Sequence, residues 1–353
     1  MTSLRLRLSV IVPIYQAAET LEACLVALAA GAADVDEIIV ADDGSTDAAV
    51  ASLPDFLCQR VRVVRSEKNI GRGPVRNLGA QAATGDVLVF VDADVAVHTN
   101  TLGAICAAFD DDPGRVSLIG AYDDRPTAKS WVSQYRNLLH HYVHHTHGSR
   151  ATHFWTGLGA VRRDVFVALG GLDEGNWARN MEDVEFGHRL VDAGHTVDVL
   201  PHIQGTHMKR FTFTSMVKTD LLDRAIPWST LMLRDHLRSD RFVTSSEQVT
   251  SAACSWIIAA ATAAAIVLNF ADAPLALLAA GLAGGAAVVF LAVNVSLWRF
   301  LARTRSGAFA AFCVPLHLLH AGVSALGFGL ALGAHLGRRE DKSSLAVGRL
   351  PVR

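Results

Sequence analysis

The chain has 353 residues, with 32 lysines and arginines against 34 aspartates and glutamates, so its formal net charge is −2. A protein that binds a nucleic-acid backbone normally carries a basic excess, so this balance argues against a nucleic-acid partner. A hydrophobic content of 51% excludes a disordered chain. The charged residues are unevenly spread along the chain. Residues 252–297 contain one charged residue, Asp272, and residues 306–335 contain none. We therefore predict a domain of ordinary composition followed by a membrane region.

The first 125 residues alternate between strand and helix patterns. Apolar, β-branched runs typical of buried strands lie at 8–14, 36–45, 61–66 and 85–95, and a helical pattern lies at 20–31. Further along, residues 131–147 indicate a helix, and residues 187–201 indicate a helix end followed by a strand. This order predicts an α/β domain over residues 1–210 with a Rossmann-like, mostly parallel sheet.

Acidic side chains follow two of these strand patterns. Asp42 and Asp43 come after the second strand, and Asp92 and Asp94 come after the fourth. Because ligands of parallel sheets bind at the carboxyl ends of the strands, this coincidence predicts a functional site there. Two carboxylates at i and i+2 can both bind one hard cation. Mg²⁺ or Mn²⁺ would take these carboxylates as ligands together with oxygens of a diphosphate. The plain alternative for Asp92 and Asp94 is a solvated acidic turn.

A glycine- and arginine-rich segment, NIGRGPVRN, occupies residues 69–77 and leads into a helical pattern. We predict a loop whose backbone amides and arginines, Arg76 among them, can bind an anion. A simple turn is the alternative for this segment taken alone.

The region 211–248 mixes apolar and charged residues, with Pro227 as an expected break. Apolar residues at helical spacing with basic residues between them predict amphipathic helices on a membrane surface. A surface helix packed on the preceding domain fits the same pattern.

The apolar region, residues 249–335, holds three candidate membrane spans. Each reaches the roughly 20 apolar residues that a bilayer core requires, and they lie at about 252–270, 275–297 and 309–334. Buried core helices are the alternative. The loop after the second span carries Arg299, Arg303 and Arg305, which places it on the cytoplasmic side together with the first domain. We predict a multi-pass protein of the inner cell membrane.

The third span conflicts with the same rule. A third crossing would put the basic tail, residues 336–353, outside the cell. Pro315 and several glycines make a re-entrant or interfacial element the alternative, although we favour three spans. The N-terminal segment lacks a signal-peptide pattern, which also predicts a cytoplasmic first domain.

Six motifs of the first domain follow one another in a fixed order: VIVPIY, ADDGSTD, NIGRGPVRNLGA, GDVLVFVDADV, GGLDE and MEDVEFGHRL. In this order and spacing they resemble the family 2 glycosyltransferases with the GT-A fold, over about residues 8–210. The resemblance implies a metal-dependent hexosyltransferase that uses a UDP- or GDP-linked sugar and inverts the anomeric carbon.

The resemblance also implies roles for individual residues. The nucleotide-sugar site would contain Pro13, Tyr15, Asp42, Asp43, Arg76 and Asp92. Asp92 and Asp94 would hold the metal, Mg²⁺ or Mn²⁺. Asp183 would be the catalytic base, with Glu182 positioning the acceptor or the base. The chain departs from the family at Gln16, where asparagine is usual, which leaves part of the nucleobase recognition open.

Other residues are assigned more loosely. Trp155 lies where the family often builds its acceptor site, although an indole equally packs in a core. His207 is either a further metal ligand or a surface histidine. Arg224 and Trp228 loosely resemble an acceptor-side Arg-Trp element of membrane synthases. The histidines of residues 140–147 lack a cysteine or close acid, so polar contacts or acceptor binding are expected there rather than a structural metal.

The pair Glu182–Asp183 bears on the acceptor. A hydroxyl group is a poor nucleophile until a base takes its proton, so the pair favours a hydroxyl group on a lipid-linked or membrane-proximal acceptor, a lipid or a glycan. An anionic acceptor needs no base, which makes a polyprenyl-phosphate glycosyltransferase the enzyme alternative. The alternative of another class is a non-catalytic membrane scaffold that keeps the fold, and the intact Asp92, Asp94 and Asp183 argue against it.

Overall fold

The computed structural model describes residues 6–31, 35–175, 181–234 and 244–347, with side chains as far as residue 337. The chain divides into two compact units, of which the first ends at Phe211 and the second begins at Thr212. The first unit is α/β and the second is helical.

The described strands of the first unit form one nine-stranded sheet. They are β1 (Leu8–Ile14), β2 (Glu37–Asp42), β3 (Val61–Arg65), β4 (Val87–Val91), β5 (Val95–Val97), β6 (Ser117–Tyr122), β7 (Arg150–Ala151), β8 (Leu158–Arg162) and β9 (Val197–His207). Their order is β3-β2-β1-β4-β8-β6-β9-β5, and β7 pairs with β9. The predicted α/β fold is confirmed, and all four strand patterns of the first 125 residues are strands.

Most of the parallel pairing lies on one side of the sheet, and β6 and β9 form a further parallel pair. β3, β2, β1 and β4 are all parallel, whereas β8 runs antiparallel to both β4 and β6. Every residue of β4 is buried, as an apolar run in a sheet covered on both faces requires. Because β1, β2 and β4 point the same way, the residues that follow them lie at a common edge.

Helices connect the strands of this unit. They are α1 (Leu21–Ala30), α2 (Asp55–Cys58), α3 (Arg72–Ala82), α4 (Thr101–Asp111), α5 (Trp131–Thr146), α6 (Arg163–Ala168) and α7 (Glu182–Asp192). The predicted helix over 131–147 is confirmed. The prediction of a loop over residues 69–77 is wrong beyond Gly71, since α3 already begins at Arg72. Pro74 lies in the first turn, where its missing N–H costs no helical hydrogen bond.

The second unit is helical throughout its described residues. Its elements are α8 (Phe213–Lys218), a π-helical turn (Thr219–Ala225), α9 (Ile226–Arg234), α10 (Ser246–Leu268), α11 (Ala273–Val293), α12 (Val295–Thr304) and α13 (Gly307–Val347). Three helices of this part of the chain, α10, α11 and the stretch Gly307–Gly337 of α13, are long and apolar enough to cross a membrane. The three predicted apolar helices are therefore confirmed by length and composition. In the predicted tail, 336–353, side chains are described only for residues 336 and 337.

Two details of the second unit differ from the predictions. Pro227 does not break the helix, because the wider π-helical turn before it accommodates a residue without an N–H and with a bulky ring. The predicted basic loop after the second span is mostly helix α12, in which Leu297 and Leu301 are both buried at helical spacing. The second apolar helix accordingly ends at Val293, before Asn294, and not at 297.

Candidate active site

A buried arginine joins two acidic segments at the carboxyl edge of the sheet. Arg76 of α3 donates from Nη2 to Oδ1 of Asp92 at 2.8 Å and from Nη1 to Oε1 of Glu182 at 2.7 Å. Burial alone would lower the pKa of Arg76, but the charges of Asp92 and Glu182 outweigh it and raise the pKa. The guanidinium is therefore permanently charged and ties the turn after β4 to the start of α7. Its role in donor binding stays a prediction.

The predicted base, Asp183, lies in the first turn of α7 beside this arginine. Its Oδ2 accepts hydrogen bonds from the backbone nitrogen of Thr156 at 3.2 Å and from the hydroxyl of the same residue at 3.1 Å. Burial, followed by the negative charge of Glu182, raises the pKa of Asp183 to about 6. A carboxylate with such a pKa can take and release a proton near neutral pH.

The position of α7 depends on a small residue. A Cβ on Gly187 would lie 2.1 Å from the backbone nitrogen of Phe154, so only glycine lets the helix approach that closely. This approach brings Asp183 to Thr156, which is two residues beyond Phe154 in the chain. Packing of the helix, and not the acidic motif alone, therefore places the base.

Asp94 and His207 face each other across paired strands. β5, which follows Asp94, pairs with β9 so that Val95 is opposite His207, and Oδ2 of Asp94 is 3.5 Å from Nε2 of His207. Burial would raise the pKa of Asp94, but the hydrogen bond and charge of His207, with the charge of Lys209, lower it. The two side chains predicted to be metal ligands thus lie together.

The orientation of the His207 ring follows from its other neighbour, Asn137. Nδ2 of Asn137 donates to the carbonyl oxygens of Ser133 at 2.9 Å and Lys209 at 3.3 Å, which leaves Oδ1 of Asn137 as the acceptor for Nδ1 of His207. Nδ1 therefore donates to Asn137, and Nε2 is the ring nitrogen that faces Asp94.

A divalent cation fits these donors only with help from a ligand. Among the described residues, no three histidine, cysteine or acidic side chains stand close enough to hold a metal by themselves. Asp94 and His207 supply two ligand atoms, while Asp92 uses Oδ1 on Arg76. A cation that takes its remaining oxygens from a diphosphate suits this set, which is how Mg²⁺ usually binds. Asp92 as a metal ligand stays a prediction.

The acids after β2 have a different environment. Asp42 is 1% exposed and accepts from the backbone nitrogen of Ser45 and from Nη1 of Arg65, each at 2.8 Å. Asp43 is 3% exposed and accepts from the backbone nitrogens of Ile70 at 2.6 Å and Gly71 at 3.1 Å. Both carboxylates hold neighbouring backbone in place, and their predicted contact with the nucleoside stays a prediction.

The end of β1 presents the remaining predicted donor residues. Pro13 is partly buried in β1 and Tyr15, just beyond it, is 54% exposed. Gln16 has a φ of 54°, in the left-handed region that side chains other than glycine and asparagine rarely adopt. Its Oε1 accepts from the backbone nitrogens of Thr46 at 3.0 Å and Asp47 at 2.9 Å, which fixes this conformation. Gln16 therefore holds the loop after β2.

Trp155 and the histidines of α5 form an aromatic cluster with Tyr122. The indole packs edge-on against Tyr122 at 4.8 Å and against His144 at 4.8 Å, and Tyr122 stacks on His207 at 4.1 Å between ring centroids. Nδ1 of His144 is 3.0 Å from the carbonyl oxygen of Gly120, and burial lowers the pKa of His144 to about 3. The expected polar contacts are therefore present, and the acceptor role of Trp155 stays a prediction.

Two predicted acceptor residues lie in the second unit. Arg224 is in the π-helical turn and Trp228 is in α9, and both are partly buried. Their assignment to the acceptor stays a prediction.

Two residues that hold the site escaped the sequence analysis. Thr156 anchors Asp183, and its place in the FWTG segment was a signal that could have found it. Asn137 orients the ring of His207 from α5, 70 residues away in the chain, and nothing in its sequence surroundings marks it.

The comparisons with known proteins agree with this geometry. The profile of the family Glycosyl transferase family 2 matches residues 9–170. The uncharacterized glycosyltransferase YibD of Escherichia coli strain K12 is 32% identical over 130 residues, or 36% of this chain and 38% of YibD. N-acetylgalactosaminyltransferase 7 of Drosophila melanogaster is 28% identical over 200 residues, or 49% of this chain and 34% of that protein. The chain thus spans well under half the length of either relative.

A solved structure extends the likeness to most of the chain. The mannosyltransferase PcManGT from Pyrobaculum calidifontis, in complex with GDP-Man and Mn²⁺, has 17% identity and a TM-score of 0.53, over 92% of this chain and 88% of that one. At this identity the likeness concerns the fold alone, and the predicted GT-A fold is confirmed.

Proposed function

We propose that the chain, whose residues 9–170 match the profile of glycosyl transferase family 2, is a membrane-anchored, inverting glycosyltransferase. Its donor is a sugar linked to a nucleoside diphosphate, UDP or GDP. Its acceptor is a hydroxyl group of a lipid-linked or membrane-proximal glycan.

The environment of Asp183 is the observation that carries this proposal. The carboxylate is held by Thr156, its pKa is raised to about 6, and Arg76 links its neighbour Glu182 to Asp92 after β4. In the proposed reaction the acceptor oxygen attacks the anomeric carbon, the bond from that carbon to the diphosphate breaks, and Asp183 takes the hydroxyl proton. One displacement from the opposite face inverts the anomeric centre.

Asp94 and His207 are the proposed ligands of Mg²⁺ or Mn²⁺. When bound, such a cation stabilises the negative charge of the departing diphosphate. Asn137 orients His207 for this role, and Arg76 holds Asp92 at the same strand end. The chain itself contributes these two contacts, which position the side chains of His207 and Asp92.

The proposed location is the cytoplasmic face of the inner membrane. Helices α10 and α11 have 23 and 21 residues, lengths that suit a bilayer core of about 30 Å, and are joined by a short loop at Asp272. α12 follows α11 and carries exposed Arg299 and Arg303, which the positive-inside rule puts in the cytoplasm. The first unit lies on the same side in this proposal.

The test is a donor screen with the purified full chain in detergent, with Mn²⁺ present and released UDP or GDP as the readout. We expect turnover of one nucleotide sugar, and we expect Asp94→Ala to lose about 10²–10³-fold in kcat. Asp112→Ala is the matched control, because this carboxylate is 53% exposed and outside the site. Full activity of Asp94→Ala would overturn the metal assignment.

Two other outcomes separate the alternatives. Turnover with a polyprenyl phosphate that survives Asp183→Asn would identify an anionic acceptor and reject the hydroxyl acceptor. Absence of both nucleotide binding and turnover across the screen would identify a non-catalytic scaffold.

A further inference from the structure

Helix α13 lies alongside the charged segment Phe213–Arg234, which comprises α8, the π-helical turn and α9 and is called the amphipathic segment below. Nδ1 of His320 is 2.8 Å from Oδ2 of Asp220, which is only 2% exposed. Further along both elements, a Cβ on Gly327 would lie 2.4 Å from the Cβ of Ala225. Because the two contacts advance in the same direction, α13 and the amphipathic segment run side by side and parallel.

We propose that α13 does not cross the bilayer but lies with the amphipathic segment in the surface of the cytoplasmic leaflet, against its anionic lipid headgroups. The inference rests on the membrane attachment proposed above, in which α10 and α11 span the bilayer. It leaves both ends of α13 on the cytoplasmic side.

The charges of the amphipathic segment carry the argument. If α13 crossed the bilayer beyond His320, the amphipathic segment packed against it would also enter the hydrocarbon. Asp223 and Arg224, both partly exposed, would then lie at membrane depth with Asp220, where ionised side chains are strongly disfavoured. In the plane of the surface, the same side chains reach water while apolar neighbours enter the lipid.

Length and burial also set α13 apart from the other two apolar helices. Its apolar stretch of 31 residues would extend about 46 Å, well beyond a core of about 30 Å. In its most apolar part 39% of the residues are buried, against 22% for α10 and 17% for α11. A smaller part of the surface of α13 is therefore available to contact lipid than in a helix surrounded by hydrocarbon.

That face has a defined composition. Leu326 and Leu330 share one side of α13 and are 38% and 50% exposed, and Phe213 and Leu222 of the amphipathic segment are 54% and 49% exposed. These side chains can enter the acyl region of one leaflet, while exposed Lys218 faces the headgroups.

The basic clusters on either side of the apolar stretch of α13, Gly307–Gly337, fit the same placement. Arg299, Arg303 and Arg305 precede this stretch in the sequence, and Arg338, Arg339 and Lys342 follow it within the same helix. A crossing helix would separate the two clusters, whereas an in-plane helix leaves both in the cytoplasm as the positive-inside rule expects. The conflict noted for the third span then disappears.

Cysteine labelling in membrane vesicles tests the placement. Cys58 is exposed and Cys106 partly exposed, whereas the other three cysteines are buried, so Cys58→Ser with Cys106→Ser gives a quiet background. Single cysteines at Asp272, Ser306 and Gly337 are then treated with a membrane-impermeant maleimide in right-side-out and inside-out vesicles. We expect Gly337→Cys and Ser306→Cys to react only in inside-out vesicles, and Asp272→Cys only in right-side-out ones.

The failures are distinguishable. Reaction of Gly337→Cys from the side of Asp272→Cys overturns the in-plane placement alone, and so does a complete lack of reaction, because an in-plane helix keeps this exposed site at the water interface. Reaction of Asp272→Cys and Ser306→Cys from one side overturns the proposed hairpin of α10 and α11, and the inference with it.

Depth measurements give an independent readout. Nitroxide labels at Leu326 and Gly337 of the full chain, in phosphatidylethanolamine and phosphatidylglycerol vesicles, are separated by about 16 Å along the helix but lie on the same side of it. We expect equal, shallow depths for an in-plane helix. A label at Leu326 near the bilayer centre with a shallow one at Gly337 would overturn the proposal. Leu282 and Leu291 of α11 are the control pair, and they should differ in depth as a crossing helix requires.

Discussion

The ends of β2 and β4 carry the same sequence signal, two aspartates after a buried parallel strand, but their carboxylates have different neighbours. Asp42 and Asp43 are 1% and 3% exposed and accept hydrogen bonds from the backbone of their own and a nearby loop. The side chains of Asp92 and Asp94 are 32% and 30% exposed and face Arg76 and His207. The first pair stabilises loops, and the second keeps oxygens available to a ligand.

The two strand ends differ in how far their carboxylates are enclosed: backbone amides bind Asp42 and Asp43, with Arg65 also on Asp42, whereas the neighbours of Asp92 and Asp94 are side chains. The amide donors lie three residues from Asp42, at Ser45, and on the loop at Ile70 and Gly71 for Asp43. Arg76 and His207 come from other elements, and they leave part of each carboxylate open to the edge of the sheet.

The largest expected effect on kcat is that of replacing Asp183, the proposed base, which lies near the end of β4. Asp183→Asn keeps the shape and the Thr156 contacts but cannot take a proton, so kcat with a hydroxyl acceptor should fall by about 10²–10⁴-fold. Thermal unfolding in detergent should be nearly unchanged. Steady-state rates with the identified donor check this, with Asp112→Asn as control. A retained kcat would remove Asp183 from the chemistry.

Substitution of Arg76 and of Arg65 compares how much the ion pairs at the ends of β4 and β2 contribute to stability. The side chain of Arg76 is 6% exposed and that of Arg65, the partner of Asp42, is 55% exposed. Arg76→Gln leaves Asp92 and Glu182 uncompensated and should lower the free energy of unfolding by about 3–5 kcal/mol. Arg65→Gln should lower it by at most about 1 kcal/mol, because water screens an exposed pair. Equal losses in a thermal unfolding assay would contradict this distinction.

Asp42→Asn tests whether the β2 acids are structural. The amide cannot accept from both Ser45 and Arg65 and should lower the free energy of unfolding by about 1–3 kcal/mol. Because Asp42 lies two strands away from β4, kcat should not change, whatever happens to KM. A fall in kcat with unchanged stability would place Asp42 in the chemistry and break the comparison.

The smallest expected effect is a shift of the pH profile. Burial and the charge of Glu182 raise the pKa of Asp183 to about 6, so the protonated, inactive form prevails below that pH and activity should rise as pH increases through it. Glu182→Gln removes the neighbouring negative charge, which should move this acid limb to lower pH. A profile of kcat/KM against pH measures the limb. A limb that stays in place or moves upward would assign it to another group.

Much of the fold was predictable because its signals are local. Apolar, β-branched runs predict β1, β2 and β4, and the turn residues after them fix where the acids emerge. The helical start of α3 was missed, because glycine and Pro74 indicate a loop although proline is tolerated in a first turn. Helix α12 was missed because its arginines hid the buried spacing of Leu297 and Leu301.

The sequence by itself determined the α/β domain, the strand ends that carry the acids, the family motifs and three apolar helices, since each depends on residues close together in the chain. Only the tertiary structure decided which carboxylates stay open and which helix lies beside a charged segment. Arg76 meets Glu182 across 106 positions, and His320 meets Asp220 across 100. Such contacts depend on how helices pack against one another, and no local pattern of residue types encodes that packing.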